Sequence, residues 1–372
     1  MKTKFLLAVA AVAMEATSVA YATQWTSGSS LGPHVANTSN KGSLLIFPLV
    51  TIDPSIASDT TVQISNDQIT PVVVECEYIN QQKARVDFIF TLSGKATASW
   101  DVGADQGDTF TPPQFPGAGP YPQFGNSTTG ELVCFAVNNL NKTNSIVFNY
   151  LSGTATVNAV GSAIEYSAWS FLGYGSNGDP TTDGYSTGTG TLALTGGLGG
   201  DYDACPLFNE TPFVANHATV GNVTTIGNYL AVSSCNQDLR RNFQVHTTNL
   251  VFNVSNSMEV GYSGANICVD STALIPLIDS NSSLKSATNF DFSNLGTAGA
   301  AYDVTGTASD GATCNKWTFG ATQSAGLLGV VARYVTVKGG SPALIGGNTH
   351  ASTTGTSGFV YWDAGPTAQV VK

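Results

Sequence analysis

Between Lys41 and Asn80 the chain carries three β-forming runs cut by turn residues: Gly42-Ser-Leu-Leu-Ile-Phe-Pro48, Asp59-Thr-Thr-Val-Gln-Ile-Ser-Asn66 and Pro71-Val-Val-Val-Glu-Cys-Glu-Tyr-Ile-Asn80. In the second, Val62 and Ile64 alternate with Thr61, Gln63 and Ser65, the two-residue period of a half-buried strand. In the third, Val72, Val74, Cys76 and Tyr78 share one face, and Val73, Glu75, Glu77 and Ile79 the other. Val86, Phe88, Phe90 and Leu92 extend the pattern. A cysteine set among inward valines predicts a bridge inside a sandwich of sheets, not a reactive thiol.

Composition agrees with strands. Charged residues make up only 10% of the 372 positions, and Ser, Thr, Asn and 40 glycines supply the polarity. Long solvated helices need Lys, Glu and Arg, whereas turns and strands do not. The net charge of −11 argues against nucleic acid, whose phosphates call for clustered Lys and Arg. The length exceeds what one core usually organises, so two domains are expected.

Met1 to Ala22 reads as a secretory signal: Lys2 and Lys4, an apolar stretch from Phe5 to Met14, then Ala20-Tyr21-Ala22 as a cleavage site, with Glu15 as a blemish. Without Lys2, Lys4 and Glu15 the net charge moves from −11 to −12. No later run reaches the length of a membrane span. The expected location is periplasmic, cell-surface or extracellular.

All six cysteines follow the signal, which suits an oxidising compartment. Six allow fifteen pairings; spacing favours Cys76 with Cys134, Cys205 with Cys235, and Cys268 with Cys314. No zinc spacing occurs among them. A weak internal echo relates Val62-Gln-Ile-Ser-Asn66 to Phe252-Asn-Val-Ser-Asn256, and Gly130-Glu-Leu-Val-Cys-Phe-Ala136 to Gly326-Leu-Leu-Gly-Val-Val-Ala332. The fold class these readings predict is all-β, with two immunoglobulin-like antiparallel β-sandwich domains in tandem. The expected organisation is a signal peptide over 1–22, a flexible arm over 23–40, a first sandwich over 41–175 and a Gly/Thr-rich linker over 176–200. A second sandwich over 201–340 and a flexible segment with a short strand over 341–372 complete it.

Several of these motifs, namely Gly42-Ser-Leu-Leu-Ile-Phe-Pro48, Cys76-Glu-Tyr-Ile-Asn80, Gly130-Glu-Leu-Val-Cys134, Tyr202-Asp-Ala-Cys-Pro206, Asn216-His217 and Leu327-Leu-Gly-Val330, give the chain a family likeness. It resembles a group of exported bacterial proteins of unknown function over roughly Lys41 to Gly340. The resemblance implies export and a β fold, and brings no catalytic residue with it. Val269-Asp270 after Cys268, and Thr219-Val220-Gly221 after His217, depart from the group's pattern.

Candidate chemistry is thin. Gly184-Tyr-Ser-Thr-Gly188 matches the G-x-S-x-G nucleophile elbow around Ser186, but without the strand before and helix after that the motif needs. Asp101, Asp105 and Asp108 crowd one loop and could supply part of a calcium site, which takes six to eight oxygens; no other cofactor is expected. Phe110, Phe115, Tyr121 and Phe124 decorate a Pro-rich loop and could stack on sugar rings. The four histidines are scattered, and seven N-x-S/T sites are no more than this composition gives by chance. The favoured function is a non-enzymatic exported protein with a structural, adhesive or assembly role, self-associating or meeting other surface proteins. Carbohydrate binding by the loop 110–124 is the alternative, and a secreted hydrolase the third.

Overall fold

The structure, a computed structural model, describes residues 35–52, 59–81, 84–103, 106–108, 110–113, 128–139, 144–159, 161–175, 181, 183–184, 186–187, 192, 194, 201–206, 208–235, 247–269, 272–280, 283–309, 324–338, 340–351, 359–362 and 368–371. Nearly all of their regular structure is antiparallel strand, as the β-branched and aromatic runs require. The described helical pieces are two single turns, Ala287–Phe290 and Phe292–Leu295. No helix among the described residues is long and apolar enough to cross a membrane. The signal reading over 1–22 lies outside the described residues.

In the N-terminal half, strands β1 (Leu44–Thr51), β2 (Asp59–Asn66), β3 (Val72–Asn80), β4 (Arg85–Leu92), β5 (Thr97–Asp101), β6 (Thr129–Val137), β7 (Leu151–Ala159), β8 (Ser162–Ser167) and β9 (Trp169–Phe171) form two sheets. One has the order β9-β1-β6-β3-β4; the other places Gln106–Gly107, β5, β2, β7 and β8 side by side. In the C-terminal half come β10 (Phe208–Val214), β11 (Val223–Ser234), β12 (Thr247–Asn256), β13 (Gly261–Val269), β14 (Thr272–Pro276), β15 (Gly299–Ser309), β16 (Leu327–Val337) and β17 (Pro342–Asn348). A third sheet runs β13-β12-β15-β10 and ends on His350–Ala351; a fourth runs Thr219–Val220, β11, β16, β17, with β14 also on β11.

The tandem immunoglobulin-like reading is overturned by what lies between the halves. Gly32–Lys372 forms one compact unit. The inner strands are buried on both faces: every residue of β3 is buried, both valines and glutamates. On one face Val72, Val74, Cys76 and Tyr78 meet Val62, Ile64 and Trp100 of the second sheet, in a core that also takes in Ala231, Val330 and Leu344 from the C-terminal half. On the other face, Val73 and Ile79 join Trp169, Phe171, Tyr202, Cys235 and Leu328. Polar contacts cross the same boundary: the Trp169 indole donates to the Gly329 carbonyl at 3.2 Å, and Ser167 and Asn348 exchange hydrogen bonds of 2.9 and 2.7 Å. A separate core around Phe213, Phe252, Phe290 and Tyr302 fills the C-terminal half.

The disulfides fit neither half as an immunoglobulin pin. Cys76 and Cys134 sit directly opposite each other on neighbouring strands β3 and β6, so their bridge lies within one sheet and not between two. Cys205–Cys235 lies in the shared core. Cys268 is also disulfide-bonded; Cys314, its expected partner, lies outside the described residues.

The internal echo has a local meaning instead of a domain-level one. β2 is followed by β3 in another sheet, whereas β12 is followed by β13 in its own. What Asn66 and Asn256 share is the end of a strand, where each carboxamide oxygen accepts the backbone N–H two residues on, Gln68 at 2.8 Å and Met258 at 3.0 Å. At the C-terminus, Phe359–Trp362 pairs with Ala368–Val371 and with Cys205–Pro206 of the same chain.

Candidate functional site

The second sheet has one wet face, and its composition follows from strand alternation. Val62, Ile64, Ala98, Trp100, Ala155 and Val157 turn inward and are buried, so the residues between them turn out. The outward set is almost wholly hydroxyl and amide. Across the strands one row reads Ser99, Gln63, Thr154, Ser167; the next reads Thr97, Ser65, Ser152; a third reads Asp101, Thr61, Thr156, Glu165. Neighbours within a row sit about 4.8 Å apart, and rows about 6.8 Å apart, from strand geometry. Ser65 and Thr97 share a hydrogen bond of 2.7 Å, and Thr61 donates to Asp101 at 2.5 Å.

Residues 38–41 rise beside this face and turn it into a groove of about 350 Å³, bounded by Asn40, Lys41, Gln63, Thr154, Glu165 and Ser167 among others. That volume lies at the small end of ligand sites. The rim is held in place: the Asn37 carboxamide oxygen accepts the backbone N–H groups of Ser39 at 3.0 Å and Asn40 at 2.7 Å, and Lys41 pairs with Asp67. Gly153 lets the floor sit close to the core, since a Cβ there would meet the Phe47 ring at 2.6 Å. The groove therefore presents fixed donors and acceptors, with its one ammonium already paired to a carboxylate. Sequence reasoning did not single out these residues. Their signal was the run of Ser, Thr and Gln at alternate positions of β2 and β7, which reads first as a solvated face.

The sequence-predicted residues fall elsewhere. Phe110 is half-buried and stacks on Phe90 with ring centroids 4.4 Å apart, edge-on to Trp100 at 5.3 Å. It closes the core of the N-terminal half. Phe115, Tyr121 and Phe124 lie outside the described residues. Of the aspartates, Asp101 accepts from Thr61, and Asp108 accepts the Ser99 N–H at 3.0 Å; both carboxylates serve the edge of β5, and Asp105 lies outside the described residues. Among the described residues, no three His, Cys, Asp or Glu side chains gather where a metal could bind. Ser186 is exposed and bridges Ile146.

Asn216 and His217 have structural partners. The Asn216 carboxamide donates to the Leu277 carbonyl and accepts from Asn228, at 2.9 Å from its backbone and 2.7 Å from its side chain. His217 Nδ1 meets the Asp291 carboxylate, which also accepts the Ser293 N–H at the start of the short helix. Burial alone would push Asp291 up, but the Ser293 hydrogen bonds and His217 together bring it below its ordinary value.

No family model matches the chain, and no curated protein does. Among solved structures, the apo form of a Pleurotus ostreatus lectin is similar at 12% identity, covering 87% of this chain and 79% of that one, with a TM-score of 0.14. A lectin from Pleurotus ostreatus in complex with GalNAc is similar at 11% identity, covering 94% and 89%, with a TM-score of 0.15. At such TM-scores neither fold nor ligand carries across.

Proposed function

We propose that the protein is an exported, non-enzymatic binding protein whose groove over β2, β7 and β8 takes a neutral glycan. One observation carries this reading: a held lattice of hydroxyl and amide side chains, walled by residues 38–41 and offering no unpaired cation. A polyhydroxylated ligand needs many matched donors and acceptors and no net charge, whereas a nucleic acid or an acidic polymer would need several unpaired cations, and the lysine in the described lining, Lys41, is paired with Asp67. The disulfides and the signal-like N-terminus support export, and the reading needs no cofactor.

The test is binding of neutral polysaccharides and oligosaccharides to the mature chain, followed by calorimetry. Gln63→Ala and Glu165→Ala should each abolish or weaken binding several-fold while leaving the circular dichroism spectrum unchanged. Binding that survives both changes but is lost in Tyr121→Ala would move the site to the loop 110–124.

An assembly role is favoured by a different feature. Val220, Val223 and Val337 are 55%, 38% and 46% exposed and stand next to one another in register at the end of the fourth sheet. Light scattering should show concentration-dependent particles that Val223→Glu disperses; a monomer at all concentrations sinks this second reading.

A further inference from the structure

A second pocket, of about 150 Å³, opens between the third and fourth sheets, away from the polar groove and independent of the glycan reading. Arg333 on β16 enters it. Its register partners are Asn228 on β11 and Ile345 on β17, and its Nε donates to the Asn228 carboxamide oxygen at 2.8 Å. Asn228 is itself fixed, donating to the Val214 carbonyl at 2.9 Å and to Asn216 at 2.7 Å. The guanidinium is thus oriented along one edge. Its Nη groups, which carry four donors, make no hydrogen bond or ion pair among the described residues. No carboxylate lines the pocket, and burial draws the guanidinium below its ordinary value while Tyr302 works the other way.

The wall of the same pocket holds two buried hydroxyls. Tyr302 on β15 and Thr211 on β10 face each other in register and are 2% and 3% exposed; among the described residues their hydroxyls find no hydrogen-bond partner beyond their contact with each other. Burying a hydroxyl unpaired is a cost to the fold, which a ligand acceptor would remove. The remaining wall is apolar, with Phe213 and Val331 inside and Ile345, 44% exposed, at the mouth.

We propose that this pocket binds a small organic carboxylate with an aliphatic body. The carboxylate oxygens accept from the Arg333 Nη edge and from the Tyr302 and Thr211 hydroxyls, and the aliphatic part lies against Phe213, Val331 and Ile345. Planar guanidinium groups match carboxylates in this way, and a site with an apolar half selects a ligand with an apolar half. Inorganic phosphate has the charge without the apolar part, so it separates this proposal from simple anion binding.

The experiment titrates the full mature chain with isobutyrate and with inorganic phosphate at matched ionic strength, read by calorimetry and by thermal melting. Isobutyrate should bind saturably and raise the melting temperature, and phosphate should do neither. Arg333→Gln should weaken isobutyrate about tenfold or more, as loss of a charge-assisted pair does. Tyr302→Phe and Thr211→Val should weaken it several-fold while leaving the unliganded melting temperature close to wild type, since each removes a buried hydroxyl whose one neighbour of that kind among the described residues is the other. These two variants carry the test if Arg333→Gln does not fold. Absence of isobutyrate binding, equal binding of phosphate, or a lowered unliganded melting temperature in Tyr302→Phe would each overturn the proposal.

Discussion

Tyr174 donates its phenolic hydrogen to one oxygen of the buried Asp203 carboxylate at 2.6 Å, while the other oxygen accepts the Leu172 N–H at 2.8 Å. Asp203 lies between Asp201–Tyr202, which pairs with Gly173–Tyr174, and Cys205, which is bridged to Cys235 of the C-terminal half. Burial pushes its carboxyl up to about 7, against the lowering pull of those two hydrogen bonds. Between the ordinary 3.8 and about 7, the folded protein holds a proton that the unfolded chain has lost. The stabilisation is therefore complete below about pH 4 and lost as pH rises through about 7, at up to about 1.4 kcal/mol per pH unit within the window. Urea denaturation should show a higher midpoint at about pH 5 than at about pH 8. Asp203→Asn should retain only the part of that slope due to the chain's overall acidity; an unchanged slope would remove Asp203 as its source.

Gly326 should be the least replaceable glycine at the same junction. A Cβ there would stand 2.3 Å from the Cys205 Cβ and 3.4 Å from the Cys235 Cβ, and the disulfide between those residues prevents either from moving aside. The Gly326 carbonyl also accepts the Cys235 N–H at 2.8 Å. Gly326→Ala should lower stability by about 1–3 kcal/mol, the usual cost of overpacking, measured by chemical denaturation under oxidising conditions. A wild-type midpoint would show that the backbone can shift there.

The strands were readable from sequence; how they stack was not. Val62 and Ile64 alternate with polar neighbours because one face of β2 meets the core and the other meets water, and that alternation survives in the structure. β3 and β6 carry near-continuous apolar runs, and the structure buries both of their faces. Such runs mark inner strands, but alternation read through Cys76 and Tyr78 puts the core on one face, and the two-sandwich reading comes from chain length and the echo between Val62–Asn66 and Phe252–Asn256. Nothing in the local pattern says that Leu328 of one half will pack against Val73 of the other, because that contact is a property of topology. The groove was hidden for a related reason: Gln63, Thr154 and Ser167 are remote in sequence and become neighbours only through strand register.

Phe110 should behave as a core residue and not as a sugar platform. Its ring is parallel to Phe90 within 2° and closes a cluster with Phe88 and Trp100; the Trp100 indole is held by a 2.7 Å hydrogen bond to the Tyr78 hydroxyl. Truncation of a fully buried Phe costs about 3–5 kcal/mol, and half-burial places Phe110→Ala at or below the low end of that range. Denaturant titration should register the loss, and glycan affinity should not change. Lost affinity with retained stability would return Phe110 to the ligand site.

Asn256 should matter more than an exposed turn asparagine, and replacements should separate its two functions. Its Nδ2 donates to the Leu295 carbonyl at 2.9 Å, while its oxygen accepts from Met258 and Val260, both at 3.0 Å. Asn256→Asp keeps the acceptor and loses the donor, leaving the Leu295 carbonyl facing a carboxylate. Asn256→Ala loses both, taking that acceptor from the Met258 and Val260 N–H groups and leaving the Leu295 carbonyl to the Tyr262 hydroxyl at 3.5 Å, at about 1–3 kcal/mol for each group left unpaired that water cannot reach. Asn66 offers the comparison, since its Nδ2 donates to the Thr70 carbonyl at 2.9 Å and the Ser93 carbonyl at 3.2 Å while its oxygen accepts from Gln68. At both positions the alanine variant should melt below wild type. The aspartate variants should also melt below it, and recover on acidification as the new carboxylate gains a proton and becomes a donor again. Aspartate variants that melt like wild type at neutral pH would mean that the carbonyl contacts contribute nothing, and that the shared Ser-Asn sequence is held only by the turn that follows it.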